Sequence, residues 1–172
     1  MPIVCIMRLT DVLLAFPGFL LAIAIVSVLG GGNLTNVAIA LIIFIVPGFA
    51  RLTRATTLQE STRDYVDAAR ALGAPDASIM WRHILPNVVS TLLVQASLRM
   101  GTVILLLSGF SFLGLGPRPP TPEWGLMLAK GNDYLRTAPY LCLIPGSAIV
   151  IAVLGFNLVG DALRDALDPR LR

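Results

Sequence analysis

Four long apolar runs constrain the fold of this chain more than any other feature of its sequence. A helix needs roughly 20 largely apolar residues to cross the hydrocarbon core of a bilayer. Three of the runs reach that length, and the second can continue as a helix through Thr53 and Ala55 while its arginines reach the interface. We therefore expect an all-α, multi-span transmembrane helical bundle with about four spans. The runs cover residues 11–32, 36–52, 87–116 and 138–160.

The composition agrees with a chain that has lipid as its solvent. Hydrophobic residues make up 56% of the sequence and charged residues 13%, whereas a soluble domain carries about 25% charged residues. The first run is too long for a signal peptide and lacks a clear cleavage site, so we interpret it as a span. Pro17, Pro47 and Pro145 lie inside runs and predict kinks. Cys5 and Cys142 are expected to be small buried hydrophobic residues.

Basic residues are distributed unequally between the segments that join the runs. If each run crosses the membrane, successive connections lie on alternating sides. Nine basic residues then lie on the side of the two termini and residues 51–86, and three lie in residues 117–139 on the other side. Residues 30–36 carry no charge. The positive-inside bias therefore predicts that the termini and residues 51–86 are cytoplasmic, whereas residues 30–36 and 117–139 face outward. No basic stripe with interleaved aromatic residues indicates nucleic-acid binding.

The least apolar long segment covers residues 65–86. With the two residues before it, it is predicted to form a short helix over 63–73, a tight turn and a second helix. Val66, Ala69 and Leu72 share one face of the first helix, and Gly73 suits the left-handed position that ends it. On the opposite face we expect Arg63, Asp64, Asp67 and Arg70, with Asp67 and Arg70 as a charge pair. The second helix carries Ile79, Met80 and Ile84 and is expected to end near Pro86.

Periodicity alone leaves two roles open for this segment. It could be an amphipathic interfacial connector between two spans. It could instead be a docking element, because Ala68 and Ala69 are small enough to let another protein approach closely.

The motif that begins at Asp67 resembles a known cytoplasmic signature. The signature reads Glu-Ala-Ala, three residues, Gly, nine residues, Ile, one residue and Leu-Pro. It occurs in inner-membrane permeases of binding-protein-dependent ABC importers. Asp67 replaces the glutamate and His83 the usual apolar residue. The matching positions are Asp67, Ala68, Ala69, Gly73, Leu85 and Pro86.

Further stretches resemble the C-type permease subunit of the dipeptide, oligopeptide and nickel branch of that family. They are "RLTDVLLAFPGFLLAIAI", "ARLTRA", "SFLGLGPRPPTPEWGLML" and "GDALRDALDPRLR". The resemblance covers the chain from about Arg8 to Arg172. Members of this family carry two further spans before the position of Arg8. It therefore implies that residues 1–172 are a partial transmembrane domain of a type I ABC importer, in the cytoplasmic (inner) membrane of a bacterium or archaeon.

The resemblance also implies partners and roles. The permease would pair with a second permease subunit, two cytoplasmic ATPase subunits that bind ATP and Mg²⁺, and an extracytoplasmic solute-binding protein. Residues 60–86 would be the coupling loop, in which Asp67, Ala68, Ala69 and Gly73 contact the ATPase while Leu85 and Pro86 set the junction with the next span. The expected solutes are dipeptides or oligopeptides, with nickel or another small solute as the alternative.

The chemistry of the residues agrees with a transport subunit rather than an enzyme. The sequence has no phosphate-binding loop, and its only lysine is Lys130. His83 is the only histidine, so neither a catalytic set nor a metal site is expected, and no cofactor should bind this chain directly. The interiors of the runs carry no carboxylate, which disfavours a secondary carrier or channel. That class remains an alternative, as does a membrane scaffold that transports nothing.

The sequence leaves two possible roles open for each of two residues, Arg99 and Trp124. Arg99 lies deep inside the third run, where a charged side chain faces protein or water rather than lipid. We hypothesise that it packs against a carbonyl or carboxylate of the second permease subunit; the alternative is a residue that lines the pathway and meets the solute. Trp124 is interpreted as an interfacial anchor, with contact to the binding protein as the alternative.

Overall fold

The computed structural model describes residues 2–167, and helices account for the secondary structure of this part of the chain. Arg170, Arg172 and the helix stop expected at Asp168-Pro169 lie outside the described residues. The helices are α1 (Pro2–Leu14), α2 (Gly18–Val28), α3 (Leu34–Ser61), α4 (Asp64–Ala71), α5 (Asp76–Ile79), α6 (Leu85–Phe112), α7 (Trp124–Asn132) and α8 (Tyr140–Leu167). A π-helical turn, Met80–Ile84, joins α5 to α6.

Three helical stretches are long and apolar enough to cross a membrane. They are α3, the continuous stretch Asp76–Phe112 that contains α5 and α6, and α8. The prediction that the second run continues as a helix is confirmed, since α3 ends only at Ser61. Pro47 and Pro145 are buried within α3 and α8.

The first apolar run bends more sharply than the kink that its proline predicted. Helices α1 and α2 meet at 95° across Pro17, whose ring prevents a helix from continuing with regular hydrogen bonds. Helix α2 has 11 residues and measures about 16 Å, roughly half the thickness of the hydrocarbon core. The expected fourth span is therefore present only as a bent pair of helices.

The long helices α3, α6 and α8 run between two ends of the bundle. At one end, here called the turn end, the amide of Gly32 donates to the carbonyl of Leu115 at 3.2 Å. Helices α2 and α6 both finish there in glycines with positive φ, Gly30 and Gly114, which satisfy the last carbonyls of each helix. The opposite end, here called the elbow end, contains α4, α5 and the last turn of α8.

Two kinds of contact hold the long helices together. Near the turn end, α2, α3 and α6 share a buried apolar cluster that includes Phe110. The ring of Phe19, which is 40% exposed, stacks on Phe110 with the ring centroids 5.4 Å apart. Helix α8 approaches α6 closely because glycines stand at the contact: a Cβ on Gly101 would lie 3.2 Å from Val153, and one on Gly160 would lie 2.8 Å from Leu98.

The connection between α6 and α8 contains a helix, α7, that the sequence analysis did not predict. The side chain of Glu123 caps it by accepting from the amide of Leu126 at 3.0 Å. Cys5 is exposed and Cys142 is only half-buried. The prediction of burial is wrong for Cys5, because the bend at Pro17 turns α1 away from α2 and leaves much of α1 uncovered.

Candidate functional site

Residues 64–84 form a compact elbow between α3 and α6. Helix α4 ends at Gly73, whose φ of +81° is one that glycine adopts without steric cost. The amide of Gly73 donates to the carbonyl of Arg70 at 2.9 Å, and the amide of Ala74 donates to the carbonyl of Ala69 at 3.1 Å. This pair of bonds is the Schellman arrangement, and it directs the chain into α5 through one defined turn. The predicted helix, turn and helix are confirmed.

A small apolar cluster holds the elbow against the base of α6. Val66, Ile79, Ile84 and Val88 are buried together, with Ala69 packed beside them. Burial of each of these branched side chains contributes roughly 1.5–3 kcal/mol, so α4, α5 and the start of α6 move as one unit.

Leu72 does not join this cluster. It was expected on the buried face of α4, but it is 88% exposed. The reason is that it follows the last helical residue, in the turn that leads to Gly73, and so no longer follows the helical period. Met80 is also largely exposed, whereas its predicted companions Ile79 and Ile84 are buried.

A hydrogen-bonded clamp joins the elbow to both neighbouring spans. The hydroxyl of Tyr65 donates to Glu60 Oε2 at 2.8 Å and accepts from Asn87 Nδ2 at 3.2 Å. Arg63 forms a salt bridge with the other oxygen of Glu60 at 3.1 Å, and Asn87 also donates to the carbonyl of His83 at 3.0 Å. Glu60 is the last-turn residue of α3 and Asn87 a first-turn residue of α6, so Tyr65 connects both.

The clamp affects the ionisation of its central residue. Burial raises the pKa of Tyr65, and the hydrogen bond to Glu60 raises it further, whereas the bond from Asn87 lowers it. A raised pKa keeps the phenol protonated at neutral pH, which is the form that donates to Glu60.

The outer surface of the elbow is charged and open. Arg70 pairs with Asp67 at 3.6 Å, as predicted, and its Nε lies 3.4 Å from Asp76. All three side chains are exposed, so these pairs contribute little to stability. Ala68 lies exposed beside them, and its methyl group is the smallest side chain between the charged residues.

The second helix of the elbow does not end near Pro86 as expected. It continues through the π turn, in which the amide of Leu85 donates to the carbonyl of Met80, five residues earlier. Pro86 has no N–H to donate, and in an α-helix its ring would collide with the carbonyl four residues before it. The wider π turn accommodates the ring and lets the elbow pass directly into α6.

The six residues predicted to couple this chain to a partner differ in exposure. Asp67, Ala68, Gly73 and Pro86 are exposed, whereas Ala69 and Leu85 are half-buried. Ala69 packs against the elbow cluster, Gly73 shapes the turn, and Leu85 and Pro86 lie at the start of α6. Sequence reasoning missed Glu60, Tyr65 and Asn87, because no local spacing indicates that they would meet.

An open cleft of about 700 Å³ lies at the elbow end between α3, α6 and α8. Polar side chains make up much of its wall. They are Thr56, Gln59, Glu60, Arg63, Tyr65, Asn87, Ser90, Thr91, Gln95 and Arg164. Arg99 is exposed about one helical turn beyond Gln95, further along α6 toward the turn end. Among the residues searched for metal ligands, no group of three suitable side chains comes together.

The sequence of this chain matches a known protein family and is similar to known permeases. The family model described as "Binding-protein-dependent transport system inner membrane component" matches residues 4–172. The chain is 52% identical over 167 residues to the glutathione transport system permease protein GsiD of Shigella flexneri serotype 5b, and 51% identical to that of Salmonella typhimurium. Each match covers 97% of this chain and 55% of the relative, so the chain spans about half the length of these relatives.

Proposed function

Because this chain belongs to the family of binding-protein-dependent transport system inner membrane components, we propose that it forms part of the pathway through which an ABC importer moves short peptides. As a permease of a transport system it supplies the membrane path rather than an enzymatic centre. ATP, with Mg²⁺, is bound and hydrolysed by two cytoplasmic ATPase subunits. A second permease subunit completes the path, and an extracytoplasmic binding protein delivers the solute.

The observation that supports this proposal most strongly is the construction of the elbow. Its two helices share a buried cluster with the base of α6, and Tyr65 links α4 to α3 and α6 through hydrogen bonds. A push on the exposed surface of α4 is therefore transmitted to two long helices. A simple connector between spans needs no such attachment on both sides.

The exposed surface of α4 offers a docking place for the ATPase. Ala68 lies exposed between Asp67 and Arg70, whose charges can pair with complementary groups on a partner. In this proposal Asp67 and Ala68 make the contact, Ala69 and Gly73 fix the shape of α4 and its turn, and Leu85 and Pro86 connect the elbow to α6.

The proposed solute is a short peptide, since the similar permeases from Shigella and Salmonella are named for the transport of glutathione, a peptide-like molecule. Nickel or another small solute is the alternative. The described parts of the chain offer no cluster of metal ligands, but in this proposal the binding protein selects the solute.

The proposed orientation places the elbow end in the cytoplasm. Nine of the thirteen basic residues lie in the termini and residues 51–86, in accordance with the positive-inside bias. The elbow then faces the compartment that contains ATP, and the turn end with α7 faces the binding protein.

Reconstitution of the complete transporter in proteoliposomes tests this function. We expect uptake of a labelled tripeptide that requires the binding protein and ATP. Replacing Ala68 by tryptophan should abolish uptake, because the larger side chain fills the docking place on α4. The matched control is Ala96→Trp on α6, where Ala96 is also exposed but lies on the apolar side of the helix.

The results separate the alternatives. Uptake driven by an ion gradient without ATP would indicate a secondary carrier. Equal uptake by the Ala68→Trp and Ala96→Trp transporters would contradict docking at the elbow. Binding of the ATPase subunits, measured by co-purification, should be lost only in Ala68→Trp.

A further inference from the structure

Helix α6 exposes two faces of opposite composition. Residues three or four positions apart lie above one another on a helix, and one such row consists of Val89, Leu93, Ala96 and Met100, all exposed and all apolar. The other row contains Asn87, Thr91, Arg99 and Thr102, all exposed, with Gln95 half-buried between them. Only the first row suits contact with lipid tails.

Arg99 lies near the middle of the span. It is about 21 Å from Leu85 and about 20 Å from Phe112 along the helix. A guanidinium at that depth is costly in hydrocarbon and faces protein or water instead. Within the described part of the chain, none of the salt bridges involves Arg99.

The polar row continues from the cleft at the elbow end. Asn87, Thr91 and Gln95 line that cleft, and Arg99 and Thr102 extend the same side of α6 toward the turn end. Beyond Thr102 the row becomes apolar at Leu105, which is 53% exposed. Val94 and Leu98 also line the cleft, so the polar row forms one edge of a mixed surface, and Arg99 lies just beyond the part of α6 that lines it.

We propose that Arg99 binds a carboxylate of the solute as it passes through the membrane path, with Gln95 and Thr102 offering hydrogen bonds one turn to either side. This inference rests on the proposed function and names the solute chemistry that the path recognises. A guanidinium binds a carboxylate through two parallel hydrogen bonds, which a neutral amide cannot match. The sequence alone favoured packing against the partner permease, but a single packing contact does not require polar residues over four turns of α6.

Chemical labelling tests whether this face contacts water in the assembled transporter. In a background with Cys5→Ser and Cys142→Ser, we expect Arg99→Cys to react with the anionic reagent sulfonatoethyl methanethiosulfonate in inside-out vesicles. Thr102→Cys, on the same row, provides a second variant if Arg99→Cys does not assemble. Met100→Cys, on the apolar row, is the control and should remain unlabelled.

Uptake measurements test the chemistry of recognition. The probes are trialanine and its C-terminal amide, each first shown to bind the binding protein. In Arg99→Gln we expect uptake of trialanine to fall about 10-fold, the effect of losing a hydrogen-bonded charge pair, whereas uptake of the amide should change less than 2-fold. Arg99→Lys should recover part of the trialanine uptake, because it restores the positive charge.

Each outcome decides the inference. An equal loss for both probes, or no labelling at positions 99 and 102, would show that Arg99 packs against protein and would overturn the proposal. A wild-type complex without ATP-driven uptake would instead contradict the proposed function, while labelling would still decide whether position 99 lies in a water-filled path.

Discussion

The side-chain amide of Asn87 donates a hydrogen bond to the hydroxyl of Tyr65 at 3.2 Å, across 22 residues of sequence. The same hydroxyl donates to Glu60 at 2.8 Å. One phenolic oxygen thus joins the end of α3, the start of α4 and the start of α6. Any displacement of α4 must stretch one of these bonds or move both long helices with it.

In the proposed transporter, replacing Tyr65 by phenylalanine should weaken the coupling of ATP hydrolysis to transport while leaving the complex assembled. The ring remains and only the hydroxyl is lost, which removes two hydrogen bonds at a net cost of about 1 kcal/mol each. We expect the number of solute molecules transported per ATP hydrolysed to fall about 5-fold, with basal ATPase activity unchanged. The measurement is uptake and phosphate release in the same proteoliposomes.

Tyr134→Phe is the matched control for this change, since Tyr134 is exposed and its hydroxyl makes no hydrogen bond within the described residues. It should transport normally. If Tyr65→Phe retained the wild-type ratio of transport to hydrolysis, the clamp would have no part in transmission. A double variant with Asn87→Leu should show less than the sum of the two single effects, because both changes remove the bond between Asn87 and Tyr65.

The hydrogen bond that Tyr65 donates to Glu60 should persist through neutral pH and be lost in alkaline solution. The pKa of Tyr65 is raised above its ordinary value of 10.0 by burial and by the bond to Glu60. A raised folded-state pKa means that the stabilisation is fully present below pH 10.0 and is lost as the pH rises through the folded-state value. Ultraviolet titration of tyrosinate, with the Tyr65→Phe titration subtracted, measures this pKa directly. A difference curve with a midpoint below that of a free tyrosine would contradict this interpretation.

Gly73 should tolerate no side chain without cost, although there is room for one. Nothing lies within 4 Å of a Cβ built at this position, but its φ is +81°. Alanine in the left-handed region costs roughly 1–2 kcal/mol, so Gly73→Ala should lower the free energy of unfolding by about that amount and loosen the elbow. Thermal unfolding in detergent checks the effect.

Gly109→Ala is the control, and it should change the free energy of unfolding in the opposite direction. Gly109 also has nothing within 4 Å of an added Cβ, but it lies inside α6 without a positive φ. Alanine there should stabilise the helix by about 1 kcal/mol. Equal effects of the two substitutions would exclude backbone conformation as the cause.

The sequence predicted the elbow well because its determinants are local. Gly73 terminates α4 through its own backbone conformation, which does not depend on contacts with distant residues. The spacing of Val66 and Ala69 likewise defines the buried face of the helix. The prediction was wrong for Leu72, since helical periodicity no longer applies beyond the last helical residue. The long runs likewise predicted α3, α6 and α8, since length and apolarity suffice for a span.

What sequence reasoning missed depends on contacts between distant residues. Tyr65 and Asn87 meet only because the elbow packs against α6, which no spacing in the sequence encodes. Pro17 was expected to kink a span, but α1 and α2 meet at 95°, and α1 contacts α3. The role of Arg99 remained open because its exposed polar neighbours become visible as a row only on the folded helix.

Helix α7 should depend on the absence of a side chain at Gly125. A Cβ there would lie 2.7 Å from the Cα of Ser108, in α6, so Gly125→Ala should force α7 away from α6 and cost about 1–3 kcal/mol. Gly155→Ala, in α8 with no atom near the added group, is the control and should not destabilise. Since the obstructing atoms belong to the backbone of Ser108, the additional change Ser108→Gly should not restore stability. Recovery in that double variant, measured by thermal unfolding in detergent, would show that the side chain of Ser108 rather than its backbone sets the distance between the two helices.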